Sequence, residues 1–253
     1  MIMNEDIVLD ARGISKTYET YDGFKTVALN NLNFKVRRNE MLAVMGRSGS
    51  GKSTLINVIT GIMAADQGQV YIDDEDVFNL SGENAASFRR KHIGIVFQKF
   101  NLIDSLTIDE NIRIPLIIDD KNDGIDEKVM RIAQIVGISD ILHKYPYEVS
   151  GGQQQRAGIC RALINEPEII FADEPTGNLD ANSTDQVMDC FTVACRENES
   201  SMLIVTHDAK VASYCDRVIF LKDGCVALEL GRKSEENADF YTSIMDVQKE
   251  VLA

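Results

Sequence analysis

Residues 46 to 53 read GRSGSGKS and match the pattern G-x-x-x-x-G-K-[ST] at every fixed position. In such a loop the glycines let backbone N–H groups turn inward around phosphate oxygens. Lys52 adds a full positive charge, and Ser53 offers a hydroxyl to Mg²⁺. A helix that follows directs its positive end at the same anion. A glycine-rich turn with a solvent-facing lysine would produce the same letters by chance. The context argues against chance, because the apolar run MLAVMG precedes the loop and KSTLINVITG follows with Leu55, Ile56, Val58 and Ile59 at helical spacing. Gly46, Arg47, Ser48, Gly49, Ser50, Gly51, Lys52, Ser53 and Thr54 are therefore the expected phosphate contacts.

A second chemical feature is EIIFADEP, where four apolar residues lead to Asp173 and Glu174. An apolar run of this kind is a buried strand, and it would deliver both carboxylates to the C-terminal edge of a sheet, where nucleotides bind in open α/β folds. Asp173 would hold the Mg²⁺ shell and Glu174 would polarise an attacking water. Two acids that merely end a strand in solvent would look the same. The third feature, VSGGQQQR at 149 to 156, stands between the other two. Ser150, Gly151 and Gly152 at a helix N-terminus make another anion site by the same dipole and amide logic. Two anion sites with one nucleotide loop imply that the second completes a site elsewhere; otherwise SGG is a flexible turn and QQQR a solvated helix face.

These features need a scaffold, and the rest of the chain supplies its pattern. DIVLDARGISKTY, VALNNLNFKV and MLAVMG read as strands, with Asn39 at the tightest point of the RRNE turn because Asn tolerates positive φ. Gly61 would end the helix after the phosphate loop. QVYIDDEDV and IGIVFQ read as two further strands. Between about 100 and 165 the texture is helical, with Val129, Ile132, Ala133, Ile135 and Val136 on one face. After EIIFADEP come the helix ANSTDQVMDCFTVACRE, the strand SMLIVTH, and RVIFLKDGCVALEL as a hairpin turning at Asp223-Gly224. Strands alternating with helices predict an α/β core with a mostly parallel sheet, into which the middle helical block is inserted.

Bulk composition narrows the function classes. The 253 residues carry 26 basic against 40 acidic side chains, a formal charge of -14, which disfavours general nucleic-acid binding and adhesion to anionic lipid. No run approaches the roughly 20 apolar residues of a membrane-crossing helix. The start MIMNEDIVLD lacks the pattern of a secretion signal. Five cysteines (Cys160, Cys190, Cys195, Cys215 and Cys225) form no CxxC pair and read as buried reduced thiols. The expected location is the cytoplasm.

Taken in order along the chain, these motifs resemble the ABC ATPase family, and the resemblance covers nearly its whole length. VSGGQQQR is similar to that family's signature sequence, which in relatives contacts the γ-phosphate bound to the opposite subunit. The resemblance implies further roles: Tyr18 stacks on adenine, Gln98 senses Mg²⁺ and links hydrolysis to the membrane partner, Asp180 in GNLD lies at the dimer interface, and His207 in VTHD contacts the γ-phosphate. Arg47 and Cys160 stand where relatives more often carry Pro and Ala. The implied fold is a P-loop ABC ATPase, with a RecA-like mostly parallel core, an antiparallel β subdomain and an inserted helical subdomain. The whole chain, 1–253, would be one such domain, with 1–98 and 166–253 as nucleotide-binding core and about 99–165 as helical subdomain.

The distance from Lys52 to Ser150 leaves no room for the long coiled coil of a chromosome-maintenance relative, and a single GKS argues against a two-cassette ribosomal one. FNLIDSLTIDENI and ADEPTGNLD resemble the branch of lipoprotein extractors, macrolide exporters and bacitracin or lantibiotic resistance transporters. The tail FYTSIMDVQKEV, with Phe240, Ile244, Val247 and Val251 on one stripe, is similar to the peptide-antibiotic resistance group. The resemblance implies an ATP- and Mg²⁺-dependent hydrolase that sandwiches ATP in a homodimer. It would be held through an integral membrane permease on the cytoplasmic face of the membrane, with no nucleic-acid partner. The apolar residues Phe100, Leu102, Ile103 and Leu106 after Gln98 would form the groove for a permease helix. Alternatives within reach of the same motifs are lipoprotein extraction, macrolide-type export and a nucleotide-gated regulator of an envelope complex.

Overall fold

The computed structural model describes residues 6–119, 123–233 and 237–251. Two long strands, β1 (Ile7–Glu19) and β2 (Lys25–Arg37), are followed by β3 (Met41–Gly46) and helix α1 (Lys52–Ile59). Next come β4 (Gln67–Ile72), β5 (Glu75–Asp76), α2 (Gly82–His92) and β6 (Ile93–Val96). Helices α3 (Ile108–Ile118), α4 (Ile125–Ile135) and α5 (Gly151–Leu163) lead to β7 (Ile169–Asp173). The remainder alternates through α6 (Ala181–Glu197), β8 (Ser201–Thr206), α7 (Ala209–Ala212), β9 (Arg217–Lys222), β10 (Cys225–Gly231) and α8 (Asn237–Val251). Two compact units emerge, one of Met1–Ser87 with Ser201–Ala253 and one of Phe88–Ser200.

In the first unit β3 lies between β8 and β9, parallel to both, and β10 returns antiparallel on β9. All six residues of β3 and of β8 are buried, the pattern of strands covered on both faces, which is why their sequences run apolar without alternation. A separate antiparallel sheet orders its strands β2-β1-β4-β5. There β2 alternates, burying Leu32, Phe34 and Val36 while the residues between them face solvent. Helix α1 buries Leu55, Ile56, Val58 and Ile59 against β2, β3 and β8, each worth about 1.5–3 kcal/mol when fully removed from water. Gly61 follows its end at φ 67. The stripe on α8 is present too, with Phe240 and Ile244 buried and Val247 and Val251 half-buried.

Two turns follow from their residues. Asn39 adopts φ 59 between β2 and β3, and Asp223 and Gly224 adopt φ 51 and 75 in the tight turn from β9 to β10. QVYIDDEDV departs from the single strand its composition suggests. Asp73 and Asp74 take φ 50 and 63 and fold the segment back, so that β5 pairs antiparallel with β4. Aspartate tolerates the left-handed region better than most residues, and two in a row make a hairpin turn.

In the second unit β6 and β7 run parallel, with Ile93 opposite Ile169 and Val96 opposite Ala172. Helix α3 begins with a capping box. Thr107 Oγ1 accepts from Glu110 N at 3.2 Å, and Glu110 Oε2 accepts from Thr107 N at 2.7 Å. Helix α4 buries Val129, Ile132 and Ala133, and Arg113 ties α3 to α4 through Asp109 and Asp126. Buried Asn111 donates to the carbonyls of Ile103, Leu106 and Thr107 and accepts from Ile103 N, which fixes the loop entering α3. No described helix is long and apolar enough to cross a membrane.

Candidate nucleotide site

The phosphate loop leaves β3 at its C-terminal end and enters α1 through Gly51. Gly51 has φ 99, and a Cβ there would lie 2.2 Å from the Ala28 carbonyl oxygen, so glycine is required on two counts. Gly46 is required by contact alone: a Cβ would stand 2.3 Å from Ser50 Oγ and 2.7 Å from the Leu221 carbonyl oxygen. Lys52 is buried and donates from Nζ to the carbonyls of Gly46 at 2.8 Å and Arg47 at 3.0 Å, drawing the loop into a ring around its own charge. Gly51 provides no side-chain cap to α1, and the positive end of that helix opens onto the loop. The Ser50 hydroxyl, buried in the loop, has no hydrogen-bond partner and is one more donor of the kind a phosphate oxygen satisfies.

Tyr18 and His207 stand close to this loop in the same unit. The Tyr18 hydroxyl is 3.2 Å from Thr54 Oγ1 and donates to Met63 Sδ at 3.2 Å, while the residue stays 40% exposed. His207 is exposed at the end of β8, where Thr206 pairs with Met45, so it emerges at the same strand edge as the loop. Asp208 then caps α7, its Oδ1 accepting from Lys210 N at 2.8 Å, which fixes the chain just beyond the histidine.

The other expected residues gather in the second unit. Asp173 ends β7, and Glu174 follows with φ 46, a left-handed conformation it shares with Glu166 and Glu199 in the same unit. Strand β6 ends at Val96, two residues earlier than IGIVFQ suggests, and the register of Val96 with Ala172 puts Gln98 at the level of Glu174. The turn after Glu174 closes onto Gln98. Asn178 Nδ2 donates to the Gln98 carbonyl at 2.9 Å, and a Cβ on Gly177 would lie 2.6 Å from Gln98 Nε2.

The signature segment opens α5. Ser150 Oγ accepts from Gln153 N at 3.3 Å and Gln153 Oε1 accepts from Ser150 N at 2.9 Å, a capping box that leaves the Gly151 and Gly152 amides at the helix mouth. Asp180 caps α6, accepting from Asn182 N and Ser183 N at 3.0 Å and from Ser183 Oγ at 2.6 Å. These hydrogen bonds, the Ser183 hydroxyl first, hold its carboxyl below the usual carboxylate range. A Cβ on Gly152 would sit 3.3 Å from Ser183 Cβ, so the two helix starts are neighbours.

The first unit thus carries Tyr18, residues 46 to 54 and His207, and the second carries Gln98, Ser150 to Gly152, Asp173, Glu174 and Asp180. Ser53 in the first unit, and Gln98 and Asp173 in the second, each carry an oxygen donor of the hard kind that Mg²⁺ prefers. Of the apolar residues after Gln98, Ile103 is exposed, at 46%, whereas Phe100, Leu102 and Leu106 are half-buried. Cys160 is fully buried in α5 and burial pushes its thiol far up; Cys195 and Cys215 are buried too, Cys190 and Cys225 only half-buried, and none of the five forms a disulfide. Sequence reasoning passes over Gln155, Arg161 and Gly177. The signal for Gln155 is its phase: it lies three, four and seven residues before Gly158, Ile159 and Ala162 on the buried face of α5.

A family model described as ABC transporter matches residues 29–177. The chain is 45% identical over 241 residues to the ABC transporter ATP-binding protein YxdL of Bacillus subtilis, covering 95% of this chain and 93% of that protein. It is 41% identical over 242 residues to the bacitracin export ATP-binding protein BceA of Halalkalibacterium halodurans, covering 95% of each. Among solved structures it resembles the dimeric post-hydrolysis state of the ATP-binding cassette MJ0796 bound to ADP and Pi. The TM-score is 0.80 at 35% identity, over 89% of this chain and 99% of that one.

Proposed function

As the chain belongs to the ABC transporter family and is one of its ATP-binding, ATP-hydrolysing subunits, we propose that it powers a separate membrane permease in resistance to antimicrobial peptides of the bacitracin or lantibiotic type. The observation that carries this reading is the likeness to a bacitracin export ATP-binding protein along 95% of both chains. In this reading the chain works at the cytoplasmic face of the membrane, held there by the permease, and hydrolysis rather than cargo recognition is its task.

Two copies sandwich two ATP molecules head to tail. Tyr18 stacks on the adenine, residues 46 to 54 surround the phosphates, and Ser150 to Gly152 of the other copy close on the γ-phosphate. Support for this comes from two separate helix N-termini in one chain, α1 and α5, each a positive dipole end. Ser53, Gln98 and Asp173 would hold Mg²⁺, which would supply charge neutralisation on the phosphate oxygens. Glu174 orients the attacking water and accepts its proton, and His207 donates to the γ-phosphate as negative charge grows there. Asp180 holds the start of α6 beside the signature turn. Closing the dimer excludes water, and loss of phosphate lets it open.

Replacing Glu174 by Gln removes the proton acceptor while keeping the side chain's shape. Turnover should fall about 10²- to 10⁴-fold, ATP should still bind, and gel filtration with saturating Mg·ATP should show a dimer. A variant that stays monomeric there refutes the sandwich. In the native host, the same variant at equal protein level should sensitise cells to bacitracin or to one lantibiotic. Unchanged sensitivity to all of them, with hydrolysis intact in the purified wild type, would move the assignment to lipoprotein extraction, macrolide-type export or envelope regulation.

A further inference from the structure

Both loops that bear proposed catalytic side chains in the second unit are hydrogen-bonded to one helix, α5, by residues beyond its anion-facing first turn. Gln155 is fully buried, and its Nε2 donates to the Pro175 carbonyl at 2.6 Å, one residue after Glu174. The same nitrogen reaches the Phe97 carbonyl at 3.4 Å, one residue before Gln98. Its Oε1 is buried with no hydrogen-bond partner. A half-satisfied amide in a core is less stable than an apolar side chain of similar volume, so packing alone does not explain a glutamine there.

Further along α5, Arg161 clamps the other side of the same loop. Its Nη1 donates to the Asn101 carbonyl at 2.5 Å and its Nη2 to the Phe100 carbonyl at 2.9 Å. Phe100 and Asn101 hold φ 54 and 50; asparagine tolerates this left-handed region, whereas a phenylalanine there is uncommon and relies on support from its surroundings. The segment 97–101 is thereby fixed at three carbonyls, and the turn after β7 at a fourth.

We propose that Gln155 and Arg161 are positioning residues, which lock the backbone beside Gln98 and Glu174 to α5 so that the signature turn and the catalytic side chains move as one body. This rests on the roles given to Gln98 and Glu174 above. Nucleotide affinity resides mainly in the phosphate loop and Tyr18, none of which these two side chains touch. The loss should therefore appear in kcat and leave the binding of ATP alone.

The test compares full-length wild type, Gln155→Met, Arg161→Met, Arg161→Lys and Glu174→Gln by steady-state phosphate release, fluorescent-ATP titration and thermal melting. Displacement of a catalytic group by about 1 Å costs on the order of 10²-fold, and Q155M should lose roughly that much in kcat. R161M should lose about 10-fold, with part regained in R161K, and the Kd for ATP should stay within about twofold throughout. Folded Q155M and R161M with kcat within about threefold of wild type would overturn the proposal, as would kcat and affinity falling together. Should Q155M fail to fold, the R161M and R161K pair decides by the same criteria. Wild-type turnover by Glu174→Gln would sink the site assignment itself, whereas an inert E174Q beside fully active Q155M and R161M would sink the positioning role alone.

Discussion

Gly177→Ala isolates the alignment of Gln98 from every other property of the site. The new methyl carbon would lie 2.6 Å from Gln98 Nε2 and 3.3 Å from its Cδ, while the nearest backbone atom, the Glu174 carbonyl oxygen, is 3.4 Å away. A comfortable contact needs roughly 3.5 Å, so the amide end of Gln98 must retreat by about 1 Å while the backbone needs no shift. Gly177 does not occupy a positive φ, so alanine is tolerated there and should gain about 0.4–1 kcal/mol by restricting the unfolded chain. That gain is close to the cost of a side-chain rotamer change of about 0.5–1.5 kcal/mol, and the melting temperature should hardly move. Catalysis should respond differently if Gln98 has its proposed role, because about 1 Å at a group that touches the reaction costs on the order of 10²-fold. The assay is phosphate release at saturating Mg·ATP beside a fluorescent-ATP titration. A Gly177→Ala protein that melts normally and turns over within about threefold of wild type would refute the claim that Gln98 must sit where this turn holds it.

Three further outcomes follow from the same geometry. Gly51→Ala puts a Cβ 2.2 Å from a backbone oxygen at φ 99, where no side chain can yield; nucleotide binding should be lost and melting lowered by strain of at least about 1–3 kcal/mol, measured by titration and calorimetry. Asp180 has a folded pKa below its ordinary value, so its cap stabilises α6 above the unfolded pKa and is lost as pH falls through the folded one. The difference in melting temperature between wild type and Asp180→Asn should be constant from about pH 5 to 7 and shrink below about pH 4; a constant difference in acid would contradict this. Ile103→Asp alters an exposed side chain in the loop that Asn111 holds, so basal turnover and stability, within about 0.5 kcal/mol, should survive while stimulation by the permease drops.

What the sequence discloses and what it hides divide along a physical line. The phosphate loop, the helix from Ala181 to Glu197 and the turn at Asp223-Gly224 are set by residues close together in the chain, and the structure has them where the pattern puts them. QVYIDDEDV misleads because its β-forming residues outweigh two aspartates whose preference for a left-handed turn shows only when both occur at once. The strand before Gln98 reads two residues too long, since Phe97 continues the apolar run although it no longer pairs. Glycine offers a similar ambiguity: Gly177 reads as a plain turn residue, and its reason lies in Gln98, far away in sequence.

The sharpest case is the triplet of glutamines after the signature glycines. One, Gln153, closes the capping box with Ser150; the next, Gln154, donates to the carbonyl of Pro146; the third, Gln155, is buried and reaches Pro175. The three letters are identical, and only their angle around α5 separates them. A helix advances about 100° per residue, so the triplet spans more than half the circumference and must meet three different surroundings. Helix geometry alone therefore contradicts QQQR as one solvated face. The residue in phase with Ile159 and Ala162 has to be the buried one. A buried glutamine must find carbonyls to donate to, and in this unit it finds them beside Glu174 and Gln98.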